Sequence, residues 1–331
     1  MTRIAIVGAG IGGLTAALAL AQRGFSVEVF ERAQAFEEVG AGLQLGPNAT
    51  QVLVALGLRD ALASRASTPP AVQFIDGVSG RDLMRLPLGD VIAARHGAPF
   101  YQIHRADLLA ILAKAIEAHQ ISIQFNAEVV SIGEGALRLI SGEERTYDAV
   151  IGADGARSKI YRSLVPGNDA VYSGKAAYRA LVPGDDVPPE TRVWLAPGRH
   201  LVSYPLRGGL LVNLVAIEDR DDWVAEDWDA AGSVEHLRQS FGQLPGPAQA
   251  LLERVETTHL WGLYERPARL TYCAGAAVFV GDAVHPMLPF MAQGAGMAIE
   301  DAWVLAASVA DLGVEAGVSV SYTHLTLPTK A

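Results

Sequence analysis

Gly8-Ala9-Gly10-Ile11-Gly12-Gly13 has the spacing G-x-G-x-x-G, a pattern whose chemistry is pyrophosphate binding. Gly8 permits a tight turn, Gly10 lets backbone approach the phosphates, and Gly13 lets a helix pack on a strand. The free N–H groups and positive dipole end of that helix meet the anion. Glu31 ends the next apolar run, Ser26–Phe30. A carboxylate there accepts both hydroxyl hydrogens of an adenosine ribose. Two more acids close apolar runs: Asp154 in Gly152-Ala153-Asp154-Gly155, and Asp282 after Val278-Phe279-Val280-Gly281. Asp154 also fits an ordinary turn, with Ser158 capping the next helix. A second glycine turn, Gln293-Gly294-Ala295-Gly296, opens another helix. His200, in Arg199–Pro205, titrates where a base for a hydroxyl proton is useful.

These residues need elements to hold them. Arg3–Val7 reads as a strand, Leu14–Arg23 as a helix closed by Gly24, and Ser26–Phe30 as a second strand. This βαβ unit makes the glycine pattern specific. A glycine-rich loop, Val39–Asn48, and a helix over about Ala49–Leu56 follow. Arg105 opens an amphipathic helix with Leu108, Leu109, Leu112 and Ile116 on one face. Strands are expected at Ser122–Phe125, Glu128–Ile132, Ala136–Ile140 and Tyr147–Ile151, and at Ala276–Val280 before a helix over Gly294–Val309. Between them lie a β-rich stretch, Ala71–Leu86, and further strands at Arg179–Val182, Arg192–Leu195, Leu201–Tyr204 and Leu210–Ile217. The expected architecture is α/β: a discontinuous Rossmann-like nucleotide domain (1–70, 97–170 and 272–318) with an inserted β-sheet substrate domain (71–96 and 171–271).

One competing reading concerns Ile4–Ala21. It carries no charge, follows Arg3, and ends with Ala17, Ala19 and Ala21, as an export signal does. It also approaches the length of a membrane span. The glycines at 8, 10, 12 and 13 argue against both. No membrane span and a cytoplasmic location are therefore expected.

Composition narrows the classes. The 331 residues suggest about two domains. A hydrophobic fraction of 50% and a mean hydropathy of +0.23 exclude global disorder. The 26 basic and 36 acidic residues give a net charge of −10, with no basic block to suit a nucleic acid. The single cysteine, Cys273, excludes an intramolecular disulfide framework and a Cys-rich zinc site. No His/carboxylate set has zinc or non-haem iron spacing, so no metal is expected.

Taken in order, the Gly8–Gly13 turn, Glu31-Arg32, Arg105, Gly152-Ala153-Asp154-Gly155 and Gly281-Asp282 resemble the class A flavoprotein monooxygenases. The likeness is to the salicylate-hydroxylase and 3-hydroxybenzoate-6-hydroxylase type, and it runs from Met1 to about Leu312. It implies a p-hydroxybenzoate hydroxylase-like fold, bound FAD, and transient NADH or NADPH with no separate nicotinamide domain. It further implies that Glu31, with Arg32 beside it, serves the adenosine ribose, that Arg105 lies near the pyrophosphate, and that Val129 meets adenine through its backbone. Asp282 would bind the ribitol, Gly294 and Ala295 would offer N–H groups to the flavin, and Asp154-Gly155 would serve FAD and the nicotinamide cofactor. The implied reaction hydroxylates a small aromatic, phenolic substrate with O₂ through a flavin C4a-hydroperoxide. Related enzymes acting on a non-phenolic heterocycle are the nearest alternative, and a truncated FAD-binding fragment without catalysis is another. The W-x-W-x-I-P motif of flavin halogenases is absent.

This chemistry needs a dry site, which Met287, Leu288, Phe290 and Met291 can wall. In similar members a histidine on the inserted sheet faces the substrate; His200 matches it, and Gln293 matches the second polar contact. A substrate carboxylate needs a cation, for which Arg179 and Arg207 are the options. His285 is read as a brace for the Pro286 turn. From about Ser319 the chain stops resembling the family, and 319–331 reads as a non-native tail.

Overall fold

The computed structural model describes residues 2–36, 41–133, 135–167, 169–222, 224, 230–266, 272–274 and 277–318. The chain begins β1 (Arg3–Val7), α1 (Ile11–Ala21), β2 (Ser26–Phe30), β3 (Gly42–Leu45), α2 (Pro47–Ala55) and α3 (Arg59–Ala63). It continues β4 (Ala71–Asp76), β5 (Asp82–Pro87), α4 (Gly89–His96), β6 (Tyr101–His104) and α5 (Arg105–Ala118). Next come β7 (Ser122–Gln124), β8 (Val129–Gly133), β9 (Ala136–Leu139), β10 (Glu144–Thr146), β11 (Ala149–Gly152) and α6 (Lys159–Leu164). The middle holds β12 (Val171–Pro183), β13 (Thr191–Ala196), β14 (Arg199–Leu206), β15 (Leu211–Asp219), α7 (Val234–Ser240), α8 (Gly246–Glu253) and β16 (His259–Glu265). It closes with β17 (Cys273–Ala274), β18 (Ala277–Phe279) and α9 (Gly294–Leu312).

Two large sheets result. The first has the order β17-β18-β11-β1-β2-β7. All its pairs are parallel except β17 with β18. Its central strands β1, β11 and β18 are apolar on both faces, as a covered parallel sheet requires. Ile4 and Ile6 face Leu14 and Leu18 of α1, Leu112 of α5 and Ile299 of α9; Ala5 and Val7 face Val129, Ile132 and Leu137 of the small β8–β9–β10 sheet. Ile4–Ala21, the run that could pass for an export signal, thus supplies β1 and α1 of this core. No helix among the described residues is long and apolar enough to cross a membrane.

The second sheet has the order β16-β12-β15-β14-β13-β4-β5 and is antiparallel but for β13 with β4. Side chains alternate between its faces. Tyr178, Trp194, Leu201 and Leu214 meet Leu237 and Phe241 at α7 and Leu251 and Leu252 of α8. The opposite face carries Ala177, His200, Tyr204, Asn213 and Ile217 toward the first sheet's half. There Leu288 packs with Ala177 and Ile217, and the Tyr204 ring fills the space beside Gly42. Gly42 N–H donates to Asn213 Oδ1 at 2.7 Å, and Gln102 donates to Thr191 Oγ1.

Some local expectations shift. The glycine-rich 41–46 stretch is not all loop, because β3 pairs with β6 from Gly42↔His104 to Leu45↔Tyr101. Its partner is distant in sequence, so no local pattern announces it. The first helix starts at Ile11, not Leu14, since the Gly12 and Gly13 positions pack as helix against neighbours rather than as turn. The 319–331 segment, and Val39 and Gly40, lie outside the described residues.

Candidate active site

Parallel strands end on one edge, and ligands of such sheets bind outside their carboxyl ends. Four expected positions meet there: Gly8 after β1, Glu31 after β2, Asp154 after β11 and Asp282 after β18. Gly8 sits at φ +106°, and a Cβ on it would stand 2.4 Å from the Ala153 carbonyl oxygen. A Cβ on Gly13 would stand 1.9 Å from the Gly8 carbonyl oxygen, so the helix start is pressed onto the strand end. At Gly10, a Cβ would meet no described atom within 4 Å. The turn is thus tight below and open above, as a pyrophosphate cradle must be.

Glu31 stands beside this opening. Its Oε2 accepts from Ala9 N–H at 2.7 Å and its Oε1 from Ala33 N–H at 2.9 Å. Ala127 N–H donates to the Glu31 carbonyl at 2.9 Å, which brings the start of β8, with Val129, to the same end. Asp154 is the clearest sign of a missing partner. Its Oδ1 is buried and meets no hydrogen-bond donor among the described residues. Burial pushes its carboxyl above the usual range, against a hydrogen bond with Ser158 and the charges of Arg32 and Arg162. Gly155 follows at φ +80°.

Asp282 lies across the edge. Burial pushes its carboxyl up, against the charges of His285 and Arg105. Burial in turn lowers the Arg105 guanidinium, and Asp282 opposes that shift. The turn itself is fixed by Asp301 of α9, whose Oδ2 accepts from Gly281 N–H at 2.7 Å and lies 2.5 Å from His285 Nε2. Burial works against a charged His285, but the hydrogen bond and charge of Asp301 prevail and raise its pKa. His285 braces this turn through Asp301 rather than through Pro286. Asp301 was not singled out from the sequence, although an acid on the buried face of an apolar helix is a legible signal.

Gly294 and Ala295 start α9, and a Cβ on Gly294 would stand 3.7 Å from Asp282 Oδ1. Gln293 Oε1 accepts from Asn48 Nδ2 at 3.2 Å, and Asn48 Nδ2 also meets Glu300 Oε2 at 2.7 Å. Gln293 is thereby tied to the start of α2. His200, on the second sheet, is half-buried with its ring 5.9 Å from that of Phe290. Burial and the charge of Lys175 hold its pKa below the usual value, against Asp219. Of the proposed wall, Met287 and Leu288 are half-buried, but Phe290 is 45% and Met291 76% exposed, and Met291 walls nothing. Arg179 shares the His200 face and lies 4.2 Å over the Trp261 ring. Arg207 does not reach that face: its guanidinium grips Asp107 at 2.9 and 3.0 Å.

The open glycine turn, the Glu31 carboxylate beside it and the orphaned Asp154 oxygen fit a bound dinucleotide. That arrangement defines a nucleotide-dependent oxidoreductase. The chain belongs to the FAD binding domain family, which matches residues 1–320. It is 38% identical to a 3-amino-4-hydroxybenzoate 2-monooxygenase of Streptomyces cremeus, over 99% of this chain and 84% of that protein. It is 34% identical to a 3-hydroxybenzoate 6-hydroxylase of Klebsiella oxytoca, over 99% and 85%. Its fold matches Klebsiella pneumoniae HpxO complexed with FAD and uric acid at a TM-score of 0.86, with 23% identity over 97% of this chain and 83% of that one. The chain is an FAD-dependent class A aromatic monooxygenase, of a family in which NAD(P)H is the typical reductant.

Asp282→Ala removes one charged hydrogen-bonding group from the pocket. It should raise the FAD dissociation constant about ten- to a hundredfold, the scale of a hydrogen bond to a charged group. Flavin fluorescence titration measures it, and unchanged affinity refutes a cofactor contact at Asp282.

Proposed function

We propose that the substrate is a small aromatic ring bearing a hydroxyl and a carboxylate, held between FAD and the second sheet. One observation carries this: His200 and Arg179 occupy the same cofactor-facing side of that sheet, two strands apart. The sheet spacing puts their backbones roughly 10 Å apart across the strands, a span that a ring and two side chains can fill. The names of the relatives, a hydroxybenzoate and an aminohydroxybenzoate, support the same pair of groups.

In this reading Gly8, Gly10, Gly12 and Gly13 cradle the pyrophosphate, and Glu31 and Arg32 serve the adenosine ribose. Val129 meets adenine, Arg105 and Asp282 flank the FAD chain, and Asp154 and Gly155 complete that side. Gly294 and Ala295 bring helix N–H groups to the flavin, where they stabilise negative charge. FAD held there would supply the oxygen chemistry, by which ring–H, O₂, NAD(P)H and a proton would become ring–OH, NAD(P)⁺ and water.

The chain's own residues prepare the ring. His200 is neutral near pH 7, because burial and Lys175 disfavour its charged form. It therefore accepts the hydroxyl's proton or hydrogen bond and makes the ring electron-rich. Gln293, steadied by Asn48, supplies the second polar contact. Leu288 keeps water from the reacting carbon. Arg179, held flat by Trp261, takes the carboxylate. The −10 net charge makes such a local cation necessary. We place the protein in the cytoplasm, since its apolar N-terminal run is part of the core.

Three results test this reading. Because the folded-state pKa of His200 is lowered and its neutral form acts, kcat/KM should hold through the ordinary histidine range and fall only at more acid pH. His200→Gln should remove that acid limb and lower kcat about a hundredfold. Arg179→Gln should raise KM about tenfold or more for a hydroxybenzoate but hardly for an uncharged phenol. Equal effects on both compounds would exclude Arg179 as the carboxylate's partner.

A further inference from the structure

We propose that Asp107 and Arg207 are positioning residues for the hydroxylation: together they pin the second sheet at the height over the flavin that brings His200 to the ring. The proposal rests on the reading that the His200 face holds the substrate. Asp107 lies in the first turn of α5 and is only 8% exposed. Arg207 lies in the hairpin turn between β14 and β15. The pair is two-pronged, Arg207 Nε to Asp107 Oδ2 at 2.9 Å and Nη2 to Oδ1 at 3.0 Å. A fork of this kind fixes direction as well as distance. Arg65 adds a longer contact to Asp107 at 3.6 Å.

The backbone at Arg207 makes the pair more than a surface contact. Its φ is +49°, the left-handed region that a residue with a side chain avoids. Gly208 and Gly209 follow at +69° and +94°. Glycine tolerates this turn, whereas an arginine adopts it only where the surroundings over-determine it. The bidentate carboxylate is one such constraint.

Each partner is linked to the site along its own element. Arg105, two residues before Asp107, faces Asp282. On the other side, β14 runs from His200, through Tyr204, to Leu206 at the turn. His200 precedes Arg207 by seven residues. At about 3.3 Å per residue it stands roughly 23 Å up the strand, so a tilt of about 3° at the turn moves it about 1 Å. A misplacement of that size costs on the order of a hundredfold in a positioned reaction. The other joins, Gly42 to Asn213 and Gln102 to Thr191, lie farther into the interface. The Asp107–Arg207 pair is an ionic join at the end of the lever.

Loss of the pin has a defined chemical consequence. The two electrons of NAD(P)H still reach O₂, but an ill-placed ring cannot take the oxygen. O₂, NAD(P)H and a proton then leave as H₂O₂ and NAD(P)⁺, with the ring unchanged.

The test compares wild-type holoenzyme with Asp107→Asn, Arg207→Gln and Arg207→Lys. It measures FAD affinity, the ratio of H₂O₂ to hydroxylated product, and hydrogen exchange at the Gly42 amide. Asp107→Asn and Arg207→Gln should keep FAD affinity within about twofold while the peroxide-to-product ratio rises about threefold or more. Arg207→Lys, which keeps the charge without the fork, should fall between. The Gly42 amide, held by Asn213 across the interface, should exchange faster in Asp107→Asn. An unchanged ratio with unchanged exchange overturns the proposal, as does a lower melting temperature with an unchanged ratio. If wild type hydroxylates no hydroxybenzoate, the substrate reading fails, and the Gly42 exchange alone then decides whether the pin sets the sheet.

Discussion

Four parallel strands that end on one edge are the constraint on which the site depends. β1, β2, β11 and β18 are neighbours in one sheet and run the same way. Residues 8, 31, 154 and 282 are therefore brought to one place although they are far apart in sequence. The sheet can close this tightly only without side chains at certain points. At Gly152 a Cβ would stand 2.3 Å from the Phe279 ring, and at Gly13 it would strike the Gly8 carbonyl. Part of the chain's glycine excess is thus the condition for bringing strand ends and helix starts close enough to hold a phosphate chain.

Electrostatics at that edge follow from burial. Asp154 and Asp282 are both pushed toward their neutral forms, and Arg105 toward loss of its charge. Buried polar groups of this kind favour donors and acceptors of matching geometry. One part is already satisfied: Asp301 holds both the Gly281 amide and His285. That fixed turn presents Asp282, while the open side of the pocket is left for cofactor. In a protein of net charge −10, cations are set one by one. Arg105 lies near Asp282 at the strand edge, Arg179 over the Trp261 ring on the second sheet, and Arg207 against Asp107 between the two.

Sequence reading reached the parts of this protein that are local. The βαβ unit, the strand-end acids, the Arg105 helix and the Gly294 helix carry their own periodicity and turn residues, and all are found within a few residues of the expected bounds. What escaped was decided by partners remote in the chain. β3 is a strand because β6 lies beside it, and Arg207 is an anchor because Asp107 lies beneath it. From sequence, Arg179 and Arg207 were equal choices for a substrate carboxylate. The pleat and the hairpin separate them, placing one on the cofactor-facing side and the other at the turn. Asn213 and Asp301 were silent for a related reason: a buried polar residue in an apolar run shows its purpose only when its hydrogen-bond partner is known.

The central claim is that this chain places an aromatic ring where one atom of O₂ is inserted and the other leaves as water. Turnover of a hydroxybenzoate with NAD(P)H under ¹⁸O₂, followed by mass spectrometry of the product, tests it directly. The account predicts that each new hydroxyl carries one heavy oxygen and that its yield tracks NAD(P)H consumed. A product whose new oxygen comes from solvent water, or NAD(P)H oxidation that yields only H₂O₂ with every hydroxylated aromatic acid, would contradict it.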